Sequence, residues 1–300
     1  MPAAGMRWLP GAAVATADEL VHLVAVLAAL GVRDVRITGG EPLVRPDVAT
    51  IVARIRAVPG IGEISMTTNG VLLDDHIDAL VGAGLGRLNV SIDSLDPIRF
   101  AEITRRDDLD RVLAGLAACE RHPSLRPIKV NAVVLRGIGE EDVLVLAALA
   151  RDRPYVVRFI EAMPLDADRE WQPEHVIPGD ELRRMIDAVW PLEEAPRTRP
   201  SAPGRRWRFS DGHGELEFVS SVTEPFCAMC DRLRLTADGR LRSCLFATEE
   251  TDLLGPLRGG ATDDELIALI LANVAAKGPG HGIGTPGWSY DGRPMSMIGG

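Results

Sequence analysis

The chain has 300 residues, of which 46% are hydrophobic and 25% are charged, and this balance is typical of a globular protein with material for one large domain or two smaller ones. Its formal net charge of -10 argues against general binding to nucleic acid or to anionic membrane surfaces, since both need a basic field. The chain has no run of about 18 uninterrupted apolar residues and no signal-peptide pattern in its opening segment, so we expect a cytoplasmic protein without a membrane partner.

Helices and strands alternate along the first half of the chain. The sequence Thr-Ala-Asp-Glu at residues 16–19 is a capping box that predicts a helix ending at Gly31, and a strand is expected directly after it. The same helix–strand unit then recurs. Strands are predicted over residues 34–38, 63–68, 87–92, 128–134 and 155–160. This alternation implies parallel strands with helical crossovers, in a doubly wound sheet or a (β/α) barrel, with ligands at the carboxyl ends of the strands.

Two of these strands place a cation on the face opposite their apolar side chains. Arg36 lies between Val35 and Ile37, and Lys129 precedes Val130. The apolar residues are expected to contact outer helices, so the two cations point inward and need a partner. A buried salt bridge would satisfy one cation, whereas an anionic ligand in a wide barrel would satisfy both, and we favour the ligand.

Lysine is rare in this chain, since Lys129 and Lys277 are the only lysines among 33 basic residues. An ammonium is a compact charge on a flexible stem, so a sequence that otherwise uses arginine can keep a lysine where that shape is needed. We expect this of Lys129. Lys277 follows a closing helix predicted over residues 263–276, and we interpret it as the solvated end of that helix.

The second part of the chain has a different pattern. Residues 191–204 are proline-rich and aperiodic, which predicts a linker, and the chain beyond them predicts antiparallel hairpins with Asp-Gly turns. One of those hairpins returns Cys244 towards Cys227 and Cys230. Because three of the four cysteines share this pattern, metal binding is favoured over a framework of disulfide bonds.

Three thiolates leave one position of a metal centre open. A [4Fe-4S] cluster held by three cysteines has one iron free for another ligand, whereas structural zinc normally takes four protein ligands. His213 and His281 are the candidates for a fourth zinc ligand, and the spacing alone leaves both metals open. Arg232 and Arg234 lie between the cysteines on one face of a predicted strand, beside the metal.

Several motifs occur in a specific order along nearly the whole chain. They are Ile-Thr-Gly-Gly-Glu-Pro at 37–42, Thr-Thr-Asn-Gly at 67–70, Asn-Val-Ser-Ile-Asp at 89–93, Lys-Val-Asn at 129–131, Arg-Phe-Ile-Glu at 158–161, the cysteine cluster with its two arginines, and the terminal Gly-Gly. Together they resemble the radical S-adenosylmethionine GTP 3',8-cyclase family, which begins molybdenum cofactor biosynthesis. The resemblance implies a lyase that uses GTP, S-adenosylmethionine and an electron donor, and we expect a homodimer.

The resemblance also implies a fold and a set of site residues. The expected fold is α/β: an incomplete (β/α)6 TIM-like barrel without its first strand at residues 1–190, a linker at 191–204, and a C-terminal α+β iron–sulfur domain of antiparallel hairpins at 205–300. The implied ligands of a [4Fe-4S] cluster are Cys227, Cys230 and Cys244. The implied GTP ligands are Arg36, Thr67, Lys129, Arg232 and Arg234. The implied S-adenosylmethionine contacts are Gly40, Ser91 and Met163, with Glu41 available for the methionyl ammonium. The implied catalytic residues are Gly299, Gly300 and Arg158.

The chain departs from the family pattern at its beginning. Members carry a CxxxCxxC loop whose third cysteine directly precedes a Met-Pro pair, and this chain begins at Met1-Pro2. We therefore expect the ligands of the second, radical-generating [4Fe-4S] cluster to lie upstream of residue 1, because of a misassigned start, which we favour, or a genuine truncation. The chain as given is then expected to be inactive. The rival interpretations are a non-catalytic remnant that binds metal and nucleotide, and a radical enzyme with another substrate.

Overall fold

The computed structural model describes residues 9–285, 288–290 and 292–298. The strands within these ranges form an eight-stranded and a three-stranded sheet. The strands are β1 (Asp34–Ile37), β2 (Glu63–Thr68), β3 (Arg87–Ser91), β4 (Ile128–Val133), β5 (Tyr155–Ile160), β6 (Leu192–Ala195), β7 (Arg205–Phe209), β8 (Glu215–Val219), β9 (Arg234–Leu235), β10 (Arg240–Arg242) and β11 (Thr251–Asp252). The α-helices are α1 (Ala17–Ala29), α2 (Val48–Arg56), α3 (Leu73–Gly82), α4 (Pro97–Thr104), α5 (Leu109–Cys119), α6 (Asp142–Asp152), α7 (Gly179–Asp187), α8 (Leu254–Arg258), α9 (Asp263–Ala275) and α10 (Met295–Ile298).

The large sheet is a mixed α/β sheet with the order β1-β2-β3-β4-β5-β8-β7-β6. Strands β1 to β5 are parallel neighbours in chain order, β8 adds in parallel to β5, and β7 and β6 complete the sheet in antiparallel pairing. The order from β1 to β5 lacks the reversal that defines a doubly wound sheet. Because βαβ crossovers are right-handed, helices that connect strands in this order lie on one face of the sheet.

The helix-facing side of the large sheet is apolar. Met66, Val90 and Val130, on three adjacent strands, are each 0% exposed. Val35 and Ile37 of β1 pack against the same core. The predicted alternation of apolar and cationic residues is therefore confirmed, and the opposite face of the sheet is left for polar side chains.

Helix α1 joins the two sheets. Its N-terminus is the predicted capping box, in which the Thr16 hydroxyl accepts from the Glu19 N–H at 3.2 Å and the Glu19 carboxylate accepts from the Thr16 N–H at 2.7 Å. Leu23 of α1 packs with Leu241 of β10 in a second core, while its neighbour Val24 belongs to the core under the large sheet. This packing holds the small sheet, ordered β11-β10-β9, against the large one.

Among the described residues, one segment, Gly11–Ala29, is long and apolar enough to cross a membrane. It consists of a short 3-10 helix, Gly11–Ala13, followed by α1. Leu23 and Leu27 are 0% and 7% exposed because they pack inside the protein. A helix that packs one side against a core can meet the same criterion of length and composition, and Leu23 and Leu27 show that α1 packs in this way.

The expected linker over residues 191–204 is wrong for four of its residues. Leu192–Ala195 form strand β6, which pairs with β7 at the edge of the large sheet. Its central Glu193 and Glu194 disfavour a strand by propensity, and the pairing with β7 overrides that preference. Charged residues are also common on edge strands, where they prevent pairing with another molecule. Strands β7 and β8 therefore belong to the main sheet, whereas the sequence placed them in a separate module.

Candidate functional site

A row of polar side chains crosses the middle of the large sheet on its helix-free face. Ser91 is the register partner of Asn131, Asn131 of Arg158, and Arg158 of Glu217. One step towards the amino ends of the strands, Lys129 lies on the same face as Asn131. The Oδ1 atom of Asn131 is buried and has no hydrogen-bond partner among the described residues. An orphaned acceptor on a polar face is suited to receive a hydrogen bond from a ligand.

A buried ionic group occupies this row. Lys129, Arg158 and Glu217 are 8%, 7% and 5% exposed. The Lys129 ammonium donates to Oε1 of Glu217, and Arg158 donates to Oε2 through Nε at 2.7 Å, with Nη2 2.6 Å away. Burial and then the charge of Arg158 lower the pKa of Lys129 to about 8, although Glu217 opposes the change. Burial would raise the pKa of Glu217, but Arg158 and Lys129 hold it below its ordinary value.

More cations converge on the same face. The pKa of Arg36 is lowered to about 10, first by desolvation and then by the positive charges of its neighbours, which are Arg158, Arg232, Arg87 and Arg234. Arg36 nevertheless remains exposed to solvent, so a ligand can reach it. Its charge persists at neutral pH. The charges of Arg158, Arg232 and Arg234 thus act on Arg36.

The two arginines of the C-terminal part differ in their surroundings. Arg232 donates to the Ser201 carbonyl at 2.9 Å, and its guanidinium carbon lies 5.0 Å from the ring centroid of Phe226. Desolvation and then the charge of Arg232 lower the pKa of Arg234 to about 10, while Cys244 and Cys230 act in the opposite direction. Arg234 thus experiences the charges of both Arg232 and the cysteines.

The three clustered cysteines are free thiols, each partly buried. Cys227 begins a short 3-10 helix, Cys227–Met229, that ends at Cys230, and Cys244 follows β10. Their chemistry fits an iron–sulfur cluster, which thiolates bind. In the described ranges no three His, Cys, Asp or Glu side chains are arranged to hold a single metal ion. A cubane cluster spreads its ligands over several irons, so its cysteines need not meet at one point.

Zinc with a histidine as fourth ligand fits less well. Nδ1 of His281 accepts from the Ile283 N–H at 3.0 Å, and Nε2 lies 3.0 Å from the Ser221 carbonyl, to which it can only donate. Both ring nitrogens are thereby used within the protein. His213 lies in the turn before β8, at the amino end of that strand, while Cys227 follows its carboxyl end.

Lys277 lies beside the cysteines, in an environment that the sequence misjudged. It was expected to be a solvated helix end, but it is partly buried, and its ammonium donates to the carbonyls of Cys230 and Arg232 at 2.9 and 3.0 Å. The same nitrogen lies 3.6 Å from the Cys230 sulfur. Lys277 therefore fixes the backbone between the cysteines and the arginines. The rarity of lysine was the signal that could have identified it.

Glu161 is a second positioning residue without a predicted role. It is 2% exposed and follows β5 directly. Its Oε1 accepts from the Gly179 N–H at 2.9 Å and the Thr223 hydroxyl at 2.6 Å, and Oε2 accepts from the N–H groups of Val222 and Thr223 at 2.8 and 2.9 Å. One carboxylate thus fastens the segment between β8 and the cysteines to the end of β5.

The residues implied for S-adenosylmethionine lie at or just beyond strand ends. Gly40 and Ser91 are exposed, and Met163 is partly buried after β5. Glu41 is already engaged, because its carboxylate accepts from the Thr68 hydroxyl at 2.7 Å and from the N–H groups of Leu43 and Asn69. It therefore joins the ends of β1 and β2, whatever else it binds.

The remaining predicted residues lie at the edges of this region. The Thr67 hydroxyl is partly buried and accepts from Nδ2 of Asn89 at 3.3 Å. Gly299 and Gly300 lie outside the described residues. The helix before them, α10, begins at Met295, whose N–H donates to the Leu165 carbonyl at 2.9 Å. This contact brings the C-terminal segment to the region that follows Met163.

Two family models match the chain. Residues 4–150 match the Radical SAM superfamily, and residues 155–283 match Molybdenum Cofactor Synthesis C. The two matches meet between residues 150 and 155, before the boundary predicted near residue 190. Together with the α/β sheet and its polar face, they define the class: a radical S-adenosylmethionine protein with a molybdenum cofactor synthesis region.

Close relatives narrow this class. The chain is 46% identical over 301 residues to a GTP 3',8-cyclase of Mycobacterium sp. (strain KMS), covering 100% of this chain and 86% of that protein. It is 46% identical to GTP 3',8-cyclase 2 of Mycobacterium tuberculosis (strain ATCC 25618 / H37Rv), covering 84% of it, and 43% identical to GTP 3',8-cyclase of Streptomyces coelicolor, covering 88%. The chain therefore belongs to the GTP 3',8-cyclase family.

Proposed function

We propose that this protein is a GTP 3',8-cyclase, the lyase that converts GTP into (8S)-3',8-cyclo-7,8-dihydroguanosine 5'-triphosphate in the first step of molybdenum cofactor biosynthesis. The observation that carries the proposal is the cluster of cationic side chains on the polar face of the sheet. Its members are Arg36, Lys129, Arg158, Arg232 and Arg234. In a chain of net charge -10, such a cluster is suited to a polyanion such as a triphosphate.

The large sheet is proposed to form the wall of an incomplete (β/α) barrel. Support comes from the strand order, because parallel strands in chain order with helices on one face are how a barrel is wound. The barrel predicted at residues 1–190 is proposed to gain β8 in parallel from the C-terminal part, with β7 and β6 following in antiparallel pairing. The rest of the C-terminal part, with the small sheet and the three cysteines, is proposed as the iron–sulfur domain.

Each group of residues has a separate proposed role. Guanidinium groups and the Lys129 ammonium hold the triphosphate, with the Thr67 hydroxyl beside them. Cys227, Cys230 and Cys244 are proposed to hold a [4Fe-4S] cluster with one iron free for the guanine. Gly40, Ser91 and Met163 are proposed to contact S-adenosylmethionine, and Gly299 and Gly300 to reach the substrate. Arg158 is proposed as a contact of the same anion.

When bound, S-adenosylmethionine and a reduced cluster would supply the one-electron chemistry that removes the hydrogen from C3' of the ribose. Closing the C3'–C8 bond to the 7,8-dihydro product would then take one further electron from the electron donor and one proton. The protein's own residues orient the substrate for this. The cations fix the phosphate end of GTP, while the segment held by Lys277 and Glu161 fixes the cysteines at the other end. Two anchored ends restrict the ribose between them, which is the entropic contribution that a positioning site can make.

Binding is tested by isothermal titration of GTP into anaerobically reconstituted protein. We expect Arg36→Gln to weaken GTP binding by tenfold or more, about 1.4 kcal/mol per decade. Arg184→Gln is the matched control, because Arg184 is a 65% exposed arginine of α7 whose partner is Asp180, and its affinity should stay within twofold. Equal effects of the two variants, or no binding of GTP by the wild type, would contradict the proposed site.

Chemistry is tested by measuring 5'-deoxyadenosine and the cyclised nucleotide after addition of reductant, S-adenosylmethionine and GTP. Residues 1–300 are compared with a chain extended by the upstream in-frame codons. Formation of both products supports the assignment. If 5'-deoxyadenosine forms without a cyclised nucleotide, the substrate assignment is wrong.

A further inference from the structure

Glu217 occupies the centre of the cation cluster. It lies on β8, its Oε1 accepts from Lys129, and its Oε2 accepts from Arg158 at 2.7 Å. All three residues are less than 10% exposed, so bulk water solvates neither cation well. Two desolvated cations that face each other need a counter-charge when no ligand is present. Glu217 supplies it.

A bound triphosphate would compete with this carboxylate. Phosphate oxygens would approach the same ammonium and guanidinium groups, and they would be repelled by the negative charge already placed there. The interaction is strong because the groups are buried and poorly screened by salt. A carboxylate that stabilises the empty site therefore weakens the filled one.

We propose that Glu217 is a stand-in anion, which neutralises Lys129 and Arg158 in the ligand-free protein and yields part of that pairing to the phosphate groups of the substrate. The inference rests on the proposed function, since it takes the ligand to be a nucleoside triphosphate. Glu217 is in this sense a positioning residue that sets affinity through the two cations. Its carboxylate keeps the empty site folded and lowers the affinity, so that the phosphorylated product can leave.

The chain offers a matched control on the same strand face. Glu215 lies two residues before Glu217 on β8 and pairs with Arg206 and, at 2.8 Å, with Arg208. Replacing either glutamate by glutamine removes one negative charge from β8. Only the replacement of Glu217 removes it from Lys129 and Arg158.

The experiment titrates sodium tripolyphosphate and GTP into wild type, Glu217→Gln and Glu215→Gln. We expect Glu217→Gln to bind tripolyphosphate at least tenfold more tightly, with slower dissociation, and Glu215→Gln to stay within twofold of wild type. A structural role alone would weaken binding, so unchanged or weaker binding by Glu217→Gln overturns the inference. Should that variant not fold, Glu217→Asp replaces it, because it withdraws the charge by one methylene. Tighter binding by Glu217→Asp supports the inference, and equal or weaker binding overturns it.

The two proposals fail in different ways. If wild type binds neither GTP nor tripolyphosphate, the proposed anion site is wrong and the inference falls with it. If wild type binds both and the Glu217 variants do not bind more tightly, only the stand-in role is wrong.

Discussion

Replacing Glu161 by glutamine tests whether one buried carboxylate holds the segment that leads to the cysteines. The substitution keeps the shape of the side chain and removes one acceptor oxygen. The amide oxygen can take the place of Oε2 and keep the N–H groups of Val222 and Thr223. The amide NH2 then replaces Oε1, where the Thr223 hydroxyl can turn to accept but the Gly179 N–H cannot.

The expected cost follows from this count of bonds. One buried N–H loses its acceptor, which costs about 1–3 kcal/mol, and the bonds from the Val222 and Thr223 N–H groups lose the strengthening given by a charge, each about 0.5–1 kcal/mol. Removing a buried charge returns part of this loss. We therefore expect the free energy of unfolding to fall by about 2–3 kcal/mol, a large fraction of the stability of a typical domain.

Urea unfolding measures that free energy, and hydrogen exchange identifies the amide concerned. The Gly179 amide should exchange faster in Glu161→Gln, while the amides of Val222 and Thr223 stay protected. Glu224→Gln is the control in the same segment, because Glu224 is exposed and its pair with Arg205 is a surface contact worth less than about 1 kcal/mol. A loss below about 1 kcal/mol in Glu161→Gln, or exchange that increases at Val222 instead of Gly179, would refute the reasoning.

Three further results are expected. The pKa of Lys129, which faces Arg158 and Glu217, is about 8, so its ammonium loses its charge as pH rises through 8. Tripolyphosphate affinity should therefore fall between pH 7 and 9.5, and the Lys129→Met variant should show a flatter dependence of affinity on pH. Lys277→Met removes two hydrogen bonds to the backbone beside Cys230, so the protein should retain at most half as much iron after anaerobic reconstitution, and Cys230 should be alkylated faster. An unchanged rate of alkylation would contradict this. Burial raises the pKa of Asp93 to about 6, so between its unfolded and folded pKa values the folded state binds a proton that the unfolded state has lost. The free energy of unfolding should therefore fall by about 1–3 kcal/mol relative to Asp93→Asn as pH rises from 4.5 to 7, as measured by urea unfolding.

The polar face could be predicted because it depends on the two-residue period of a strand. Val35 and Ile37 need an apolar layer on one side of β1, and the helices that supply this layer were evident from their own periodicity. Arg36, between them, must then face the other side. Lys129 of β4 follows the same alternation and lies on the same face as Arg36. Local alternation therefore determined which side chains share the face.

The contacts between distant segments could not be predicted in this way. Glu161 meets Val222 and Thr223 across about sixty residues of chain, and Lys277 meets Cys230 across 47. No local pattern marks such partners, because they depend on how β8 joins β5. Strand β6 was missed for a related reason: its pairing comes from β7 and not from its own composition.

Strand β8 connects both ends of the proposed site. It places Glu217 between the two cations, and its carboxyl end passes through the turn that Glu161 holds before the chain reaches Cys227. A shift of β8 by one residue would turn Glu217 to the apolar face and leave Lys129 and Arg158 without their counter-charge. The same shift would move the turn away from Glu161. Because one strand sets both relations, the placement of Lys129 and Arg158 relative to the segment that leads to the cysteines is a property of the fold. The proposed ligand, which is anionic at one end and reaches the cysteine segment with the other, matches this placement.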